Sequence, residues 1–286
     1  MKKILVTGSK GQLGNEILLL SKDFKGYEFL FHDIDTLDLT DYGKLEKFFQ
    51  VHSPDIVINC AAYTAVDKAE KETELAHLLN AEVPGKLAFL CDKFNSYLIH
   101  FSTDYVFDGR NYRPYKENDL PNPLSVYAKS KYAGEQKVLQ FGNTSVIRTS
   151  WLYSRFGNNF VKTILKLGRE RDTLHIVFDQ TGTPTNACDL AAAIMKMTEY
   201  LNHNELIRGI FHYSNEGVCS WYDFAKEIIE FAGYSCNVLP ITTDKYPLPA
   251  SRPNYTVLDK SKIKNTLNIF IPHWKDSLAE CLKHLT

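Results

Sequence analysis

Short runs of apolar, often β-branched residues alternate along the chain with longer stretches whose apolar positions recur every three or four residues. "KILVTG" leads into "QLGNEILLLSKD", "YEFLFHD" into "YGKLEKFFQVH", and "DIVINCAA" into "ELAHLLNAEVPGKLAFLCDKF". "YLIHFSTD" is followed, after a loop, by a helical run around Tyr127. Such a strand-helix series predicts a parallel sheet covered by helices on both faces. Strands buried on both faces should be apolar almost throughout, and Ile56-Val57-Ile58 and Leu98-Ile99-His100-Phe101 mostly are.

The pattern changes after "SVIRTSWLY". "NNFVKTILKLGRERD", a short "HIVFD", "DLAAAIMKMTEYL", "GIFHYSN" and "SWYDFAKEIIEFAG" precede a stretch carrying Pro240, Pro247, Pro249 and Pro253. Fewer strands and more loop predict a smaller mixed domain. "DLAAAIMKMTEYL" followed by "GIFHYSN" still reads as a helix and strand of the parallel sheet, so the chain should cross between domains more than once. One domain is expected over residues 1–150 plus about 187–215, the other over about 151–186 plus 216–286.

Composition adds exclusions. At 286 residues the chain can bury one large core or two modest ones. A net charge of −1 and a pI near 6.8 leave no basic stripe for nucleic acid and no polybasic anchor for a membrane. No uncharged apolar run reaches the length of a membrane span, and the apolar run in "MKKILVTG" is too short for a signal peptide. Cys60, Cys91, Cys188, Cys219, Cys236 and Cys281 form no C-x-x-C pair and are expected to be reduced, with no metal site. A cytoplasmic protein is the expectation.

The first strand runs into Gly8-Ser9-Lys10-Gly11-Gln12-Leu13-Gly14. Glycines at this spacing permit a sharp turn, a close phosphate and tight helix-on-strand packing, and the helix N-terminus offers amides to a pyrophosphate. At the first strand of a strand-helix series this is the signature of dinucleotide binding. The fold class expected is α/β, a doubly wound parallel sheet of Rossmann type with a smaller mixed α/β C-terminal substrate domain. Asp33 closes the second strand, where a carboxylate binds adenosine ribose hydroxyls and repels a 2′-phosphate. That leans toward NADH, while Lys10 and His32 are available to NADPH. Asp38 and Leu39, in "LDLTD", are candidates for the adenine. A solvated loop carboxylate is the competing reading of Asp33.

Tyr127 and Lys131 stand one helical turn apart in "VYAKSKYAGE" and share a face. An ammonium beside a phenol favours the phenolate and should lower its pKa, giving a tuned proton donor, and the lysine can reach ribose hydroxyls. "FSTDYVFDG" places Ser102, Thr103 and Asp104 at the C-terminal end of a predicted strand, where ligands gather in open α/β sheets.

The glycine loop, "INCAA", "STDYVF" and the Y-x-x-x-K together resemble the extended short-chain dehydrogenase/reductase family over nearly the whole chain. "CAAYTAVDKAE", "HFSTDYVFDG", "PLSVYAKSKYAGE", "RTSWLY", "GNNF", "FDQTGTPT" and "LPASRPNY" narrow the resemblance to members acting on dTDP-4-ketosugars. It implies NADPH- or NADH-dependent reduction of the C4 ketone of dTDP-4-dehydro-6-deoxy-L-mannose to dTDP-L-rhamnose. Tyr127 would be the proton donor, Lys131 would tune it and hold the ribose, and Thr103 would bind the reacting oxygen. Gly8, Gly11, Gln12, Leu13, Gly14, Ala61 and Ala62 would line the cofactor, with Tyr127 and Lys131 also touching it. Thr64, Val66, Asp104, Tyr105 and Trp151 would lie near the sugar, and Arg252 near the diphosphate. Apart from the resemblance, Trp151 reads as core, Arg148 as half of a structural ion pair, and His100 as a satisfied interior histidine.

Some relatives bind a divalent ion at a dimer interface through glutamates, and Glu16 matches one such position. Cys188 stands where another acidic ligand is expected, with Asp189 beside it, and the tail after "LAECLKHLT" is too short for a late glutamate. That argues against Mg2+ and against dimerisation through that surface, leaving a homodimer open. Asp104-Tyr105 lacks the acid-base pair of the family's dehydratases, and Cys60 is not placed as in its epimerising members. The alternatives are a reductase of another nucleotide-4-ketosugar and a regulatory subunit that binds the dinucleotide without turnover.

Overall fold

The computed structural model describes residues 1–203 and 207–285. Its first half runs β1 (Lys2–Thr7), α1 (Gln12–Leu20), β2 (Tyr27–His32), α2 (Tyr42–His52), β3 (Ile56–Asn59), α3 (Val66–Ala69), α4 (Thr73–His77), α5 (Val83–Lys93), β4 (Tyr97–Thr103), α6 (Val126–Val138) and β5 (Thr144–Thr149). The second half runs β6 (Leu152–Tyr153), α7 (Phe160–Glu170), β7 (Thr173–Val177), β8 (Thr181–Gly182), β9 (Thr185–Asn186), α8 (Ala187–His203), β10 (Gly209–Tyr213), β11 (Cys219–Ser220), α9 (Trp221–Phe231), β12 (Asn237–Ile241), α10 (Ser261–Leu267) and α11 (Trp274–Leu282).

Six strands form one sheet in the order β2-β1-β3-β4-β5-β10, every neighbouring pair parallel. Alternation along each strand feeds two cores. Ile4, Val6, Ile58 and Ile99 pack with Leu13 and Ile17 of α1 and Leu190 and Ile194 of α8. Leu5, Val57, Leu98 and Val146 face Leu45, Phe49, Leu87 and Val138 of α2, α5 and α6. The strand order changes direction between β1 and β3, and at such a point the loops leaving the two carboxyl ends diverge and open a crevice. The protein thus has an N-terminal Rossmann-like parallel sheet and a smaller C-terminal mixed α/β region. As expected of "GIFHYSN", β10 returns to the sheet from far along the chain and pairs with β5.

The smaller core lies under the parallel pair β7 and β12, where Val161 and Ile164 of α7, Phe224 and Ile228 of α9 and Leu278 of α11 meet. Here the structure corrects two expectations. β12 carries Pro240 inside a stretch that reads as loop; a two-stranded sheet has open edges, which a residue without an N–H can occupy. The long helix expected from "ELAHLLNAEVPGKLAFLCDKF" is interrupted by a π-helical turn, Leu78–Glu82, between α4 and α5. Hydrophobic period does not register that one-residue widening, and such turns recur at functional sites.

Candidate active site

The glycine loop does what its spacing predicts. Gly8 has φ 61°, and a Cβ there would stand 2.6 Å from the Ala61 backbone nitrogen; one on Gly14 would stand 2.5 Å from the Gly8 carbonyl oxygen. Both contacts are with backbone, so neither position tolerates a side chain. α1 starts immediately after Gly11, and no side chain caps its first amides, which leaves them for an anion. Beside this turn lies a cavity of about 420 Å³ whose lining includes Lys10, Asp33, Asp38, Leu39, Ala61 and Ala62. Asp33 accepts hydrogen bonds from the Lys10 N–H (2.9 Å) and the Ile34 N–H (2.8 Å). The Lys10 ammonium, exposed, pairs with Asp35 at 2.6 Å. Asp38 is held by Thr40, which keeps its carboxyl below the usual range. A backbone cradle with a carboxylate-edged pocket fits an adenine dinucleotide.

The adjoining cavity, about 770 Å³, lies over the carboxyl ends of β1, β3 and β4. Gly8, Gly11, Gln12, Leu13, Gly14 and Ala62 form one side of it, with Thr64, Val66, Thr103, Asp104, Tyr105, Tyr127, Lys131 and Trp151 around the rest. Ser125, two residues before Tyr127, caps α6 by accepting the Ala128 N–H, which fixes where the helix starts. Thr103, the last residue of β4, is a hub. Its hydroxyl donates to Asp104 at 3.1 Å and accepts the Tyr105 N–H at 3.2 Å, and it lies close enough to the Tyr127 phenol to oppose the rise in its pKa. The Tyr105 ring stands edge-on to Tyr127, centroids 6.2 Å apart.

Lys131 is 3% exposed, unusually buried for a lysine. Its ammonium donates to the Phe101 carbonyl at 2.6 Å. Burial lowers its pKa to about 8, opposed by the Glu135 carboxylate one turn further on. The expected depression of the Tyr127 pKa by Lys131 is not found: burial pushes the phenol up to about 12, Thr103 works against that, and the nearby Asp104 adds to it. Desolvation of both groups outweighs the i,i+4 neighbourhood, which spacing alone cannot show. Burial also raises Asp104, to about 7, against hydrogen bonds from Thr256 and Thr103.

Trp151 adopts φ 47°, strained for a bulky side chain, and its ring stacks on Trp221 at 3.6 Å. It packs against the smaller core and also lines the cavity, so the reading made from residue type alone is half of its role. Arg252 lies instead in a third cavity of about 750 Å³ that shares Val66, Tyr105, Phe160 and Trp221 with the second. Its guanidinium is already engaged, bidentate to Asp67 at 3.0 and 2.7 Å. A diphosphate would therefore have to share it.

Sequence reasoning missed several residues. Asn159 caps α7 and donates to Gln12 at 3.0 Å, tying the glycine-loop helix to the second region; its signal was present in "GNNF". Asn80, within the π turn, accepts the Tyr63 N–H and donates to the Tyr63 carbonyl and to Ser130, joining the loop after β3 to α6. Trp221 gave no signal beyond its residue type.

Residues singled out on other grounds also find their places. Arg148 does form a buried ion pair, with Glu135. His100 is only half satisfied: Nδ1 meets Asn59 at 3.1 Å, while Nε2 has no partner among the described residues. Glu16 is 1% exposed and accepts from Ser154 (2.7 Å) and Arg155 (2.9 Å). Among the described residues no cluster of three or more His, Cys, Asp or Glu could hold a metal, and no helix is long and apolar enough to cross a membrane. All six cysteines are free.

The chain matches the family model described as "RmlD substrate binding domain" over residues 1–286. It is 39% identical over 284 residues to the spore coat polysaccharide biosynthesis protein SpsK of Bacillus subtilis, covering 99% of this chain and 98% of that protein. It is 40% identical to a dTDP-4-dehydrorhamnose reductase of Aggregatibacter actinomycetemcomitans, covering 97% of each. Among solved structures, dTDP-4-dehydrorhamnose reductase from Bacillus anthracis in complex with NADP superposes with a TM-score of 0.94 at 37% identity, covering 99% of each chain. The cradle, the Thr103-Tyr127-Lys131 site and these matches agree: the chain belongs to the dTDP-4-dehydrorhamnose reductase family.

Proposed function

We propose that this protein reduces the C4 ketone of dTDP-4-dehydro-6-deoxy-L-mannose (dTDP-4-dehydrorhamnose) to the alcohol of dTDP-L-rhamnose, using NADPH or NADH. The observation that carries the reading is the meeting of Thr103, Tyr127 and Lys131 in one cavity beside a side-chain-free glycine cradle. A dinucleotide held by the Gly8 to Gly14 loop would supply the hydride from its nicotinamide. The glycine-loop amides hold the pyrophosphate, Asp33 and Asp38 face the adenosine, and Lys131 turns its remaining N–H donors to the nicotinamide ribose. As the C4 oxygen gains charge, Tyr127 donates its phenolic proton to it, and the Thr103 hydroxyl stabilises the same oxygen. A phenol with a raised pKa is fully protonated at neutral pH and still far more acidic than the alcohol it produces, so the transfer runs downhill. Fixed donors in a partly desolvated site supply the electrostatic stabilisation.

The third cavity suits the nucleoside diphosphate of the substrate, with Arg252 sharing its charge between Asp67 and the diphosphate. On this reading the sheet, with β10, is the dinucleotide-binding domain, and residues about 151–186 plus 216–286 read the sugar nucleotide. Both dinucleotides are accommodated. Asp33 is partly neutralised by backbone N–H groups, and the exposed Lys10-Asp35 pair is weak enough for Lys10 to turn to a 2′-phosphate.

The test is absorbance of NADPH and of NADH, separately, with the purified protein and the dTDP-4-keto-6-deoxy-L-sugar. Consumption with dTDP-L-rhamnose formed supports the proposal. No consumption by a protein that still binds a dinucleotide refutes it in favour of a different nucleotide sugar or a regulatory subunit.

A further inference from the structure

Tyr127, Lys131 and Glu135 follow one another at four-residue intervals on the face of α6 that meets the sheet. The first two belong to the proposed chemistry; the third does not touch it. Glu135 is 0% and Arg148, on β5, 1% exposed, yet both carry charge-bearing side chains. They form a bidentate pair, Arg148 Nε to Glu135 Oε1 at 2.9 Å and Nη2 to Oε2 at 2.6 Å. The guanidinium also lies over the Phe107 ring, 5.1 Å from its centroid, and its Nη1 has no partner among the described residues. A purely structural staple at this place would be better made from apolar residues, because burying two charges costs more than most pairs return.

The other groups around this face are accounted for. From β4, His100 lies near Lys131 and is kept neutral by burial. Asp104, beyond β4, sits by Tyr127. From β10, His212 borders Arg148 and is also kept neutral, its ring hydrogen-bonded to the Tyr115 carbonyl. Glu117 accepts the His212 N–H. Glu70 accepts the Val126 N–H at the start of α6, and Glu82 pairs with Lys137 on another face of the helix. Glu135 is thus the carboxylate placed to act on Lys131.

We infer that the buried Arg148-Glu135 pair is a positioning device for the active site, in which Glu135 sustains the ammonium of Lys131 and Arg148 limits how strongly it does so. Without Glu135, burial pushes Lys131 toward the neutral amine, which cannot hold the ribose as a cation. Without Arg148, the carboxylate acts on Lys131 undiluted. The inference rests on the proposed reductase chemistry only for its consequence in turnover, not for the charge coupling itself.

The coupling is measured without substrate, by following the Lys131 side chain through a pH titration of the full-length protein labelled with 13C-lysine, the resonance being assigned by its loss in Lys131→Met. Glu135→Gln should lower the Lys131 midpoint by on the order of one pH unit, and Arg148→Gln should raise it. A staple with no electrostatic role would lower the thermal stability of both variants and leave the midpoint in place. Equal midpoints in all three proteins, or shifts of the same sign in both variants, overturn the inference. If Arg148→Gln does not fold, the Glu135→Leu/Arg148→Met double variant replaces the pair by apolar packing. Its midpoint should then lie below the wild-type value and above that of Glu135→Gln, and a value at wild type overturns the inference. In turnover, the alkaline fall of kcat/KM should move to lower pH in Glu135→Gln. A wild-type protein that does not turn over would refute the reductase reading while leaving the titration result intact.

Discussion

The two sides of the site are built by different means. On the side proposed for the dinucleotide the cavity surface is mostly backbone: Gly8 to Gly14 and Ala61-Ala62, presented by tight turns at the ends of β1 and β3. On the sugar side it is side chains brought from distant segments, with Thr103, Tyr127, Trp151, Trp221 and Arg252 each held by a neighbour. Backbone surfaces recognise what every dinucleotide shares, and side-chain surfaces set the chemistry and the sugar. Damage to the first should abolish binding of the cofactor, whereas damage to the second should leave the cofactor bound and the reaction impaired.

The largest effect should come from Tyr127→Phe, which removes the proposed proton donor and nothing of the cradle. A fall of kcat/KM by about a thousandfold is expected, with dinucleotide affinity by fluorescence titration within about twofold of wild type. Near-full activity would remove Tyr127 from its role. Next is Gly8→Ala. Its Cβ meets the Ala61 backbone and its φ is strained, so dinucleotide binding should fall by at least about tenfold and unfolding should be easier by roughly 1–3 kcal/mol. Unchanged cofactor affinity would mean that the cradle lies elsewhere.

A smaller effect is expected at Arg252. Arg252→Met should raise the KM for the sugar nucleotide by about tenfold, leaving dinucleotide affinity unchanged, because the guanidinium lies in the third cavity. An equal loss of cofactor affinity would merge the two sides proposed here. The smallest effect concerns Asp104, whose folded pKa is raised to about 7 from 3.8. The folded state binds more protons than the unfolded one between these values, so stability falls as pH rises through that window. Asp104→Asn should flatten the dependence of the urea midpoint on pH between about 4 and 7.

The same contrast explains what could be read from the sequence. The alternation of strands and helices, the glycine spacing and the carboxylate after β2 are local in the chain, and the sheet with its cradle follows from them. β10 was legible too, because its apolar run and preceding helix keep the parallel-sheet rhythm. The sugar side depends on approach between distant segments. Neither the stacking of Trp151 on Trp221 nor the pairing of Arg252 with Asp67 has a spacing that announces it. The π turn carrying Asn80 leaves the hydrophobic pattern of its helix nearly unchanged. Pro240 hid a strand because a proline is a sound breaker except at an open edge. The pKa of Tyr127 failed for a related reason: spacing shows who the neighbours are, while burial, which decides here, is a property of the fold.

The most direct test follows the hydride itself. The protein is given NADPH, or NADH, carrying deuterium on the transferring face of nicotinamide C4, together with the dTDP-4-keto-6-deoxy-L-sugar, each face being tried in turn. Deuterium is expected on C4 of the sugar in dTDP-L-rhamnose with one of the two faces, seen by NMR as loss of the H4 signal. Product without deuterium at C4 from either face, or label at another carbon, would contradict the proposed hydride transfer.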